Sequence, residues 1–309
     1  PLRRQRQMCI RDRFEVFREH NDKCVQLSGT DMAPATVQRY ETSLKHTRDF
    51  VWETYHKKDV LLDEISRQFI EDYEFWLKTE KKCCHNTATK YLKNFKKIIR
   101  IALAKGWMKN DPFLEIRFSL DKVEPDFLED SEIQKLISKE IDIPRLSQVR
   151  DIFVFCCFTG LAFSDIHGLR KEHIVEDSNG VRWIRKGRQK TKIMCNIPLM
   201  EIPLKILEKY STNEYCKKHG VLFPVLCNQK MNAYLKELAD ICGIKKTLTT
   251  HVGRHTFATF ALANGVSIES VAKMLGHTNV QMTRHYARVL DRTVIREMSQ
   301  IKMDFHISI

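Results

Sequence analysis

The stretch NDPFLEIRFSLDKVEPDFLEDSEIQKL, Asn110 to Leu136, limits the fold more than any other part of the chain. Pro112 and Pro125 lack a backbone donor and push the residue before each away from helical geometry. The helical spacing of apolar positions stops before them and resumes only after Asp130. A chain of 309 residues, 43% of them apolar, that is interrupted there must bury its apolar surface in two places. The expected organisation is a smaller body over 14–114, a linker at Glu115 to Asp126, and a larger body over 127–309.

In the first body apolar positions recur at helical spacing from Ala35 to Lys57, from Leu62 to Lys78, and from Asn86, a candidate N-cap, to Trp107 with Gly106 near the end. A small helical bundle follows from this pattern. On its third helix Tyr91, Phe95, Ile98 and Ala102 form one stripe, and Lys90, Lys93, Lys97 and Arg100 form another. Between Lys78 and Lys109 ten Lys or Arg face only Glu80. Such a row is either a solvated face or a track for a phosphate backbone, where each neutralised phosphate releases condensed counterions. The whole chain carries 52 Lys and Arg against 39 Asp and Glu, a formal +13, which points to a polyanionic partner. The first thirteen residues hold five Arg and one Asp without an apolar face, and read as a leader, non-native or disordered, outside the fold.

No run approaches the roughly 18 consecutive apolar residues of a membrane span, and no signal-peptide core opens the chain. A cytoplasmic, nucleoid-associated protein is expected. Ten cysteines occur as two adjacent pairs and scattered singles with no CxxC, so buried reduced thiols are expected rather than a disulfide framework.

The second body reads as mainly helical with one small antiparallel sheet. Helices are expected at Ser131 to Lys139, Ser147 to Phe158 ended by Gly160, and Ser164 to Arg170. Three strand-like pieces follow, HIVED, VRWIRK and KIMCNIPL, separated by the turn signals SNG and GRQKT. Beyond them the pattern is helical again, with Asn228 and Thr250 as caps and Gly243 and Gly265 as stops.

The segment TTHVGRHTFATFALANG places His251 and Arg254 three apart, on one face at the start of a helix. A zinc site at His251 and His255 lacks the Glu of a metalloprotease helix, since Val252 stands there, and lacks a third ligand. After Ser267 a helix runs to Gly276, and His277 follows that stop. Thr278 with Gln281 then reads as a capping box for a new helix, with Tyr286 about two turns into it. A last helix, Asp291 to Met303, carries Val294, Ile295, Met298 and Ile301 as an apolar set that caps its own body or docks on a second copy.

HxxR, then LGH, then Tyr nine residues on, preceded by FTGLAFSDI and the lysine hairpin RQKTKIMCNIPL, resemble the tyrosine recombinases of the phage-integrase family, and mobile-element integrases among them. The resemblance runs from Ala35 to Phe305 and implies a DNA-clamping helical first domain. It implies Tyr286 as the nucleophile on the scissile phosphate, giving a 3'-phosphotyrosyl bond and a free 5'-hydroxyl. It also implies His251 as acid/base partner, Arg254 and His277 as phosphate ligands, and Lys190 as the proton donor to the leaving oxygen. Asp165 would orient its neighbours. A bond that conserves the phosphodiester's energy needs neither metal nor nucleotide, so no cofactor is expected. Partners would be double-stranded DNA, three further copies in a tetramer on two duplexes, and DNA-bending accessory proteins. The reaction would be mobile-element integration and excision, or inversion.

The chain departs from that pattern at Ala162, where the family most often has a second phosphate-clamping Arg. Arg188, two residues before Lys190 in the hairpin turn, is the expected substitute, because side chains two apart in an extended segment project to one side. Arg170 would have to turn back. The departure keeps open a catalytically impaired DNA-binding relative. A type IB topoisomerase, which shares the nucleophile chemistry, is the other alternative.

Overall fold

The computed structural model describes residues 13–287 together with 298 and 299. The leader lies outside the described residues apart from Arg13. So does the expected last helix, apart from Met298 and Ser299. The chain divides into two compact units at Val123/Glu124, and the described residues are mainly helical with a single three-stranded antiparallel sheet.

The first unit comprises α1 (Arg13–Gln26), α2 (Pro34–Tyr55), a 3-10 turn at Leu62–Glu64, α3 (Arg67–Thr79) and α4 (His85–Ala104). Its core is aromatic. Phe50 lies 5.0 Å from Tyr73, Tyr73 lies 6.0 Å from Phe95, and Phe95 lies 5.9 Å from Phe113, ring centre to ring centre. Edge-on and tilted pairs of this kind add to what burial alone contributes. The α4 face turned to this core is Ala88, Leu92, Phe95, Ile98, Ile99 and Ala102, while Lys90, Lys93, Lys97 and Arg100 are exposed opposite. Asn86 is not the cap of α4. Cys84 holds that position, and the Asn86 amide instead donates to the Asp121 carbonyl at 3.0 Å and accepts from the Asp121 N–H at 2.8 Å. With Ile116 and Phe118 packed against the core, the first half of the expected linker is extended chain fastened to this unit.

The second unit contains α5 (Asp130–Ser138), α6 (Pro144–Thr159), α7 (Phe163–His167), β1 (Ile174–Glu176), β2 (Arg182–Gly187), β3 (Met194–Pro198), α8 (Glu201–Tyr210), α9 (Glu214–His219), α10 (Asn228–Ile241), α11 (Thr250–Ala263), α12 (Ile268–Leu275) and α13 (Gln281–Arg284). Asn228 and Thr250 are the first helical residues rather than the caps, which are Cys227 and Thr249. Helix α6 is buried on every side, with Leu146, Val149, Phe153, Phe155, Cys156 and Cys157 all in the core, and so shows no amphipathic stripe. It crosses α11 at Gly253, where a Cβ would meet Cys156 Cβ at 3.2 Å and Phe153 Cε2 at 3.3 Å. That close approach sets the depth of the next residue, Arg254. The sheet runs in the order β1-β2-β3, with Ile184 paired to Ile197 and Lys186 to Cys195, and its buried face carries Ile184, Cys195 and Ile197.

Candidate active site

Arg254 is 2% exposed, so its donors must be met from within the protein. Nη1 donates to the Gly160 carbonyl at 2.7 Å and Nη2 to the Leu275 carbonyl at 2.7 Å. Both carbonyls stand at helix C-termini, those of α6 and α12, where partners are lacking within the helix. Nη2 also lies 3.1 Å from His277 Nε2. A guanidinium offers no acceptor, so Nε2 receives that bond, and the ring proton sits on Nδ1, 2.8 Å from Thr283 Oγ1. Burial first, then Arg254 and Arg188, push the His277 pKa down to about 4, which keeps the ring neutral.

The turn that presents His277 closes α12 with Gly276 at φ +60°. A Cβ there would meet Arg188 Cδ and Cys195 Sγ, each at 2.7 Å, so the turn admits only glycine while Arg188 passes beneath it. The expected capping box of Thr278 and Gln281 does not form. Thr278 Oγ1 points to Met282 Sδ at 3.6 Å, and Asn279 Oδ1 accepts the Gln281 N–H at 2.8 Å. The helix that follows is one turn long, and Tyr286 lies in the turn after it instead of two turns inside.

Tyr286 is buried against Phe257, Ala258, Ala261, Val271 and Leu275. Its ring stands 5.0 Å from that of His255 and 6.1 Å from that of His277, nearly parallel to the latter at 14°. His255 in turn lies 4.5 Å from the His251 ring, edge to face. His251 reaches solvent at this rim, and its pKa is lowered by desolvation, then by Arg254, Arg188 and Lys190. The sequence offered His255 only as a zinc ligand and gave no sign of Thr283, since the ring contacts of the one and the hydrogen bond of the other depend on partners that spacing does not reveal.

The β2–β3 hairpin supplies Arg188 and Lys190. The Arg188 N–H donates to the Ile193 carbonyl at 2.9 Å, and the Lys192 N–H to the Arg188 carbonyl at 2.8 Å, with Lys192 at φ +59°. Residues 189–191 therefore form a turn, and the argument from an extended segment does not hold. Arg188 is directed inward by Asp165 instead. Asp165 is buried, accepts the Gln189 N–H on Oδ1 at 2.9 Å, and faces Arg188 Nε with Oδ2 at 3.5 Å. That separation exceeds a charge-assisted hydrogen bond. Lys190 is exposed on the turn, and Arg170 is exposed at the entry to the 3-10 turn before β1. His277 stands beside Tyr286, Arg254 bonds His277, and Arg254, Arg188 and Lys190 act on His251, while Asp165 faces Arg188, so the groups come from α7, the hairpin, α11 and the α12 stop. Lys90, Lys93, Lys97 and Arg100 belong to the first unit. Among the described residues no cluster of three His, Cys, Asp or Glu side chains has the arrangement of a metal site. No described helix is long and apolar enough to cross a membrane.

Comparison with known proteins gives the family. Residues 13–122 match the phage integrase SAM-like domain and residues 126–293 the phage integrase family. A tyrosine recombinase of Pseudothermotoga lettingae is 29% identical over 265 residues, 83% of this chain and 88% of its own length. The tyrosine recombinase XerD of Oceanobacillus iheyensis is 26% identical over 266 residues, 82% and 87% of the two chains. Among solved structures, a lambda integrase (75–356) dimer bound to a COC' core site superposes with TM-score 0.69 at 17% identity, covering 93% of this chain and 98% of that one. XerH recombinase bound to palindromic difH substrate, a post-cleavage complex, gives 0.73 at 13% identity, covering 93% and 95%. The integrase match spans more than half of the 309 residues, and the chain belongs to the phage integrase family of tyrosine recombinases, enzymes that cleave and rejoin DNA.

Proposed function

We propose that the protein is a site-specific recombinase of a mobile element that cuts and rejoins double-stranded DNA through a 3'-phosphotyrosyl intermediate at Tyr286. The observation that carries this reading is the gathering of Arg254, Arg188, His277 and His251 around one buried tyrosine. Four groups that carry or accept positive charge, with no carboxylate but Asp165 among them, suit a phosphodiester. Arg254 would meet the non-bridging oxygens with donors now shared with His277. Arg188, held by Asp165 at only 3.5 Å, would turn toward the same phosphate and replace the arginine that Ala162 lacks.

His251 at the rim, neutral at physiological pH, would accept the tyrosine proton as its oxygen attacks phosphorus. Lys190 on the exposed turn of the hairpin would protonate the departing 5'-oxygen. Reversal of both transfers, with a new 5'-hydroxyl as attacker, rejoins the strand without an external energy source. The exposed row of Lys90, Lys93, Lys97 and Arg100 would follow the phosphate backbone from the first domain, over 14–114. The DNA complexes of the lambda and XerH proteins support the choice of partner. The working assembly would be four copies on two duplexes, with accessory proteins bending the DNA.

A nicked suicide substrate tests the reading. Wild-type protein should accumulate a covalent protein–DNA adduct, and Tyr286→Phe should accumulate none while binding the same DNA. Undiminished adduct in the variant would remove Tyr286 from the chemistry.

A further inference from the structure

Thr283 is fully buried, although it sits in a one-turn helix near the surface of the second unit. A threonine in such a place ordinarily turns its hydroxyl to water or back to its own helix. Here Oγ1 lies 2.8 Å from His277 Nδ1, and the Thr283 carbonyl accepts the Tyr286 N–H at 2.9 Å. One residue therefore touches the histidine by its side chain and the tyrosine by its backbone.

We propose that Thr283 is a positioning residue for strand cleavage: its hydroxyl holds the plane of the His277 ring, whose tautomer Arg254 sets, and its carbonyl holds the Tyr286 turn in register with that ring. This rests on the reading of His277 as a phosphate ligand. The argument begins with Arg254, whose Nη2 reaches His277 Nε2 at 3.1 Å and offers only protons. If the ring proton moved to Nε2, two donors would face each other and Nδ1 would be left as an acceptor. Arg254 prevents this, and the Thr283 hydroxyl accepts the proton that is thereby kept on Nδ1. The hydroxyl also keeps the ring from turning over, since a flipped ring would present carbon to Arg254. The branched Cβ of threonine restricts its own rotation, which keeps the hydroxyl aimed. The His277 plane lies 14° from that of Tyr286, so a turn of one ring changes the wall on which the other rests.

Thr283→Val keeps the shape and removes the hydroxyl, whereas Thr283→Ser keeps the hydroxyl and removes the methyl. Two measurements separate positioning from space-filling: nitrogen-15 NMR of the His277 imidazole in the DNA-free protein, and the rate of adduct formation at saturating suicide substrate. The wild type should show a protonated Nδ1. Thr283→Val should keep that tautomer but leave the Nδ1 proton without its acceptor, so that its signal is lost to exchange or shifted, and should slow the adduct by about tenfold or more with unchanged DNA affinity, as loss of a partner that orients an imidazole does elsewhere. Thr283→Ser should restore both. A valine variant whose Nδ1 proton signal matches the wild type, or one whose signal changes while its rate does not, overturns the proposal. A His277→Ala protein that cleaves at the wild-type rate overturns the phosphate reading along with it. That failure is told apart because the change of the Nδ1 proton signal in Thr283→Val would remain.

Discussion

Arg188 and Arg254 come to one place by different routes, and a charge change at either has a different cost. Arg188→Ala leaves the buried Asp165 carboxylate, 3.5 Å away, without its cation, so the urea midpoint of the variant is to be measured beside its cleavage. Cleavage of a suicide substrate should fall by roughly 10²–10³, the usual loss for one preorganised donor, and adding Ala162→Arg should restore part of it. Unchanged cleavage by Arg188→Ala would take Arg188 out of the site. His277 allows a test by pH. Its folded pKa of about 4 lies below the unfolded value near ~6.5, so the unfolded chain takes up the proton first. Stability is therefore whole above pH ~6.5, falls as pH drops, and has lost its full share below about 4, a share on the order of 2 kcal/mol. Urea midpoints at pH 7.5 and 4.5 should differ less in His277→Gln than in the wild type. Equal differences would mean that His277 does not titrate in this way.

At the scale of elements, α4 is a helix with a core face and a cationic face. Replacing any one of Lys90, Lys93, Lys97 or Arg100 by Ala should weaken DNA binding across sequences and lower the salt dependence by about one unit. A slope unchanged in all four variants would make the row a solvated face. Lys97 is already set in place by Tyr40, its Nζ 3.0 Å from the hydroxyl and 4.9 Å above the ring. Gly276→Ala should destabilise the second unit by about 1–3 kcal/mol through its left-handed φ and the displaced Arg188, and should slow cleavage as well. Such glycine stops were legible in the sequence because they act locally. The end of α6 at Gly160 and the end of α12 at Gly276 needed no distant partner. Asn86 was misread because its amide bonds Asp121, 35 residues on, and the Thr278 box because Asn279 takes the cap instead. The order of His251, Arg254, His277 and Tyr286 is carried by spacing. The inward turn of Arg188 is not, because it depends on Asp165 from another element.

At the scale of the whole molecule each unit holds its own core, one built on Phe50, Tyr73 and Phe95 and the other on α6. A polypeptide ending at Val123 should unfold cooperatively in urea and bind DNA with a steep salt dependence, yet form no adduct. One beginning at Glu124 should retain slow adduct formation. A first fragment without a cooperative transition would show that its core needs the rest of the chain. The two cores also tie the chemistry unevenly to the fold. Tyr286→Phe deletes one oxygen from a largely apolar setting, whereas loss of Arg254 orphans the buried carbonyls of Gly160 and Leu275, at about 1–3 kcal/mol each. A gene copy released from the need to cut DNA can therefore drop its nucleophile freely but must retain its arginine merely to fold. Among decayed copies of such a gene, phenylalanine at this position beside an intact arginine is the fossil to look for.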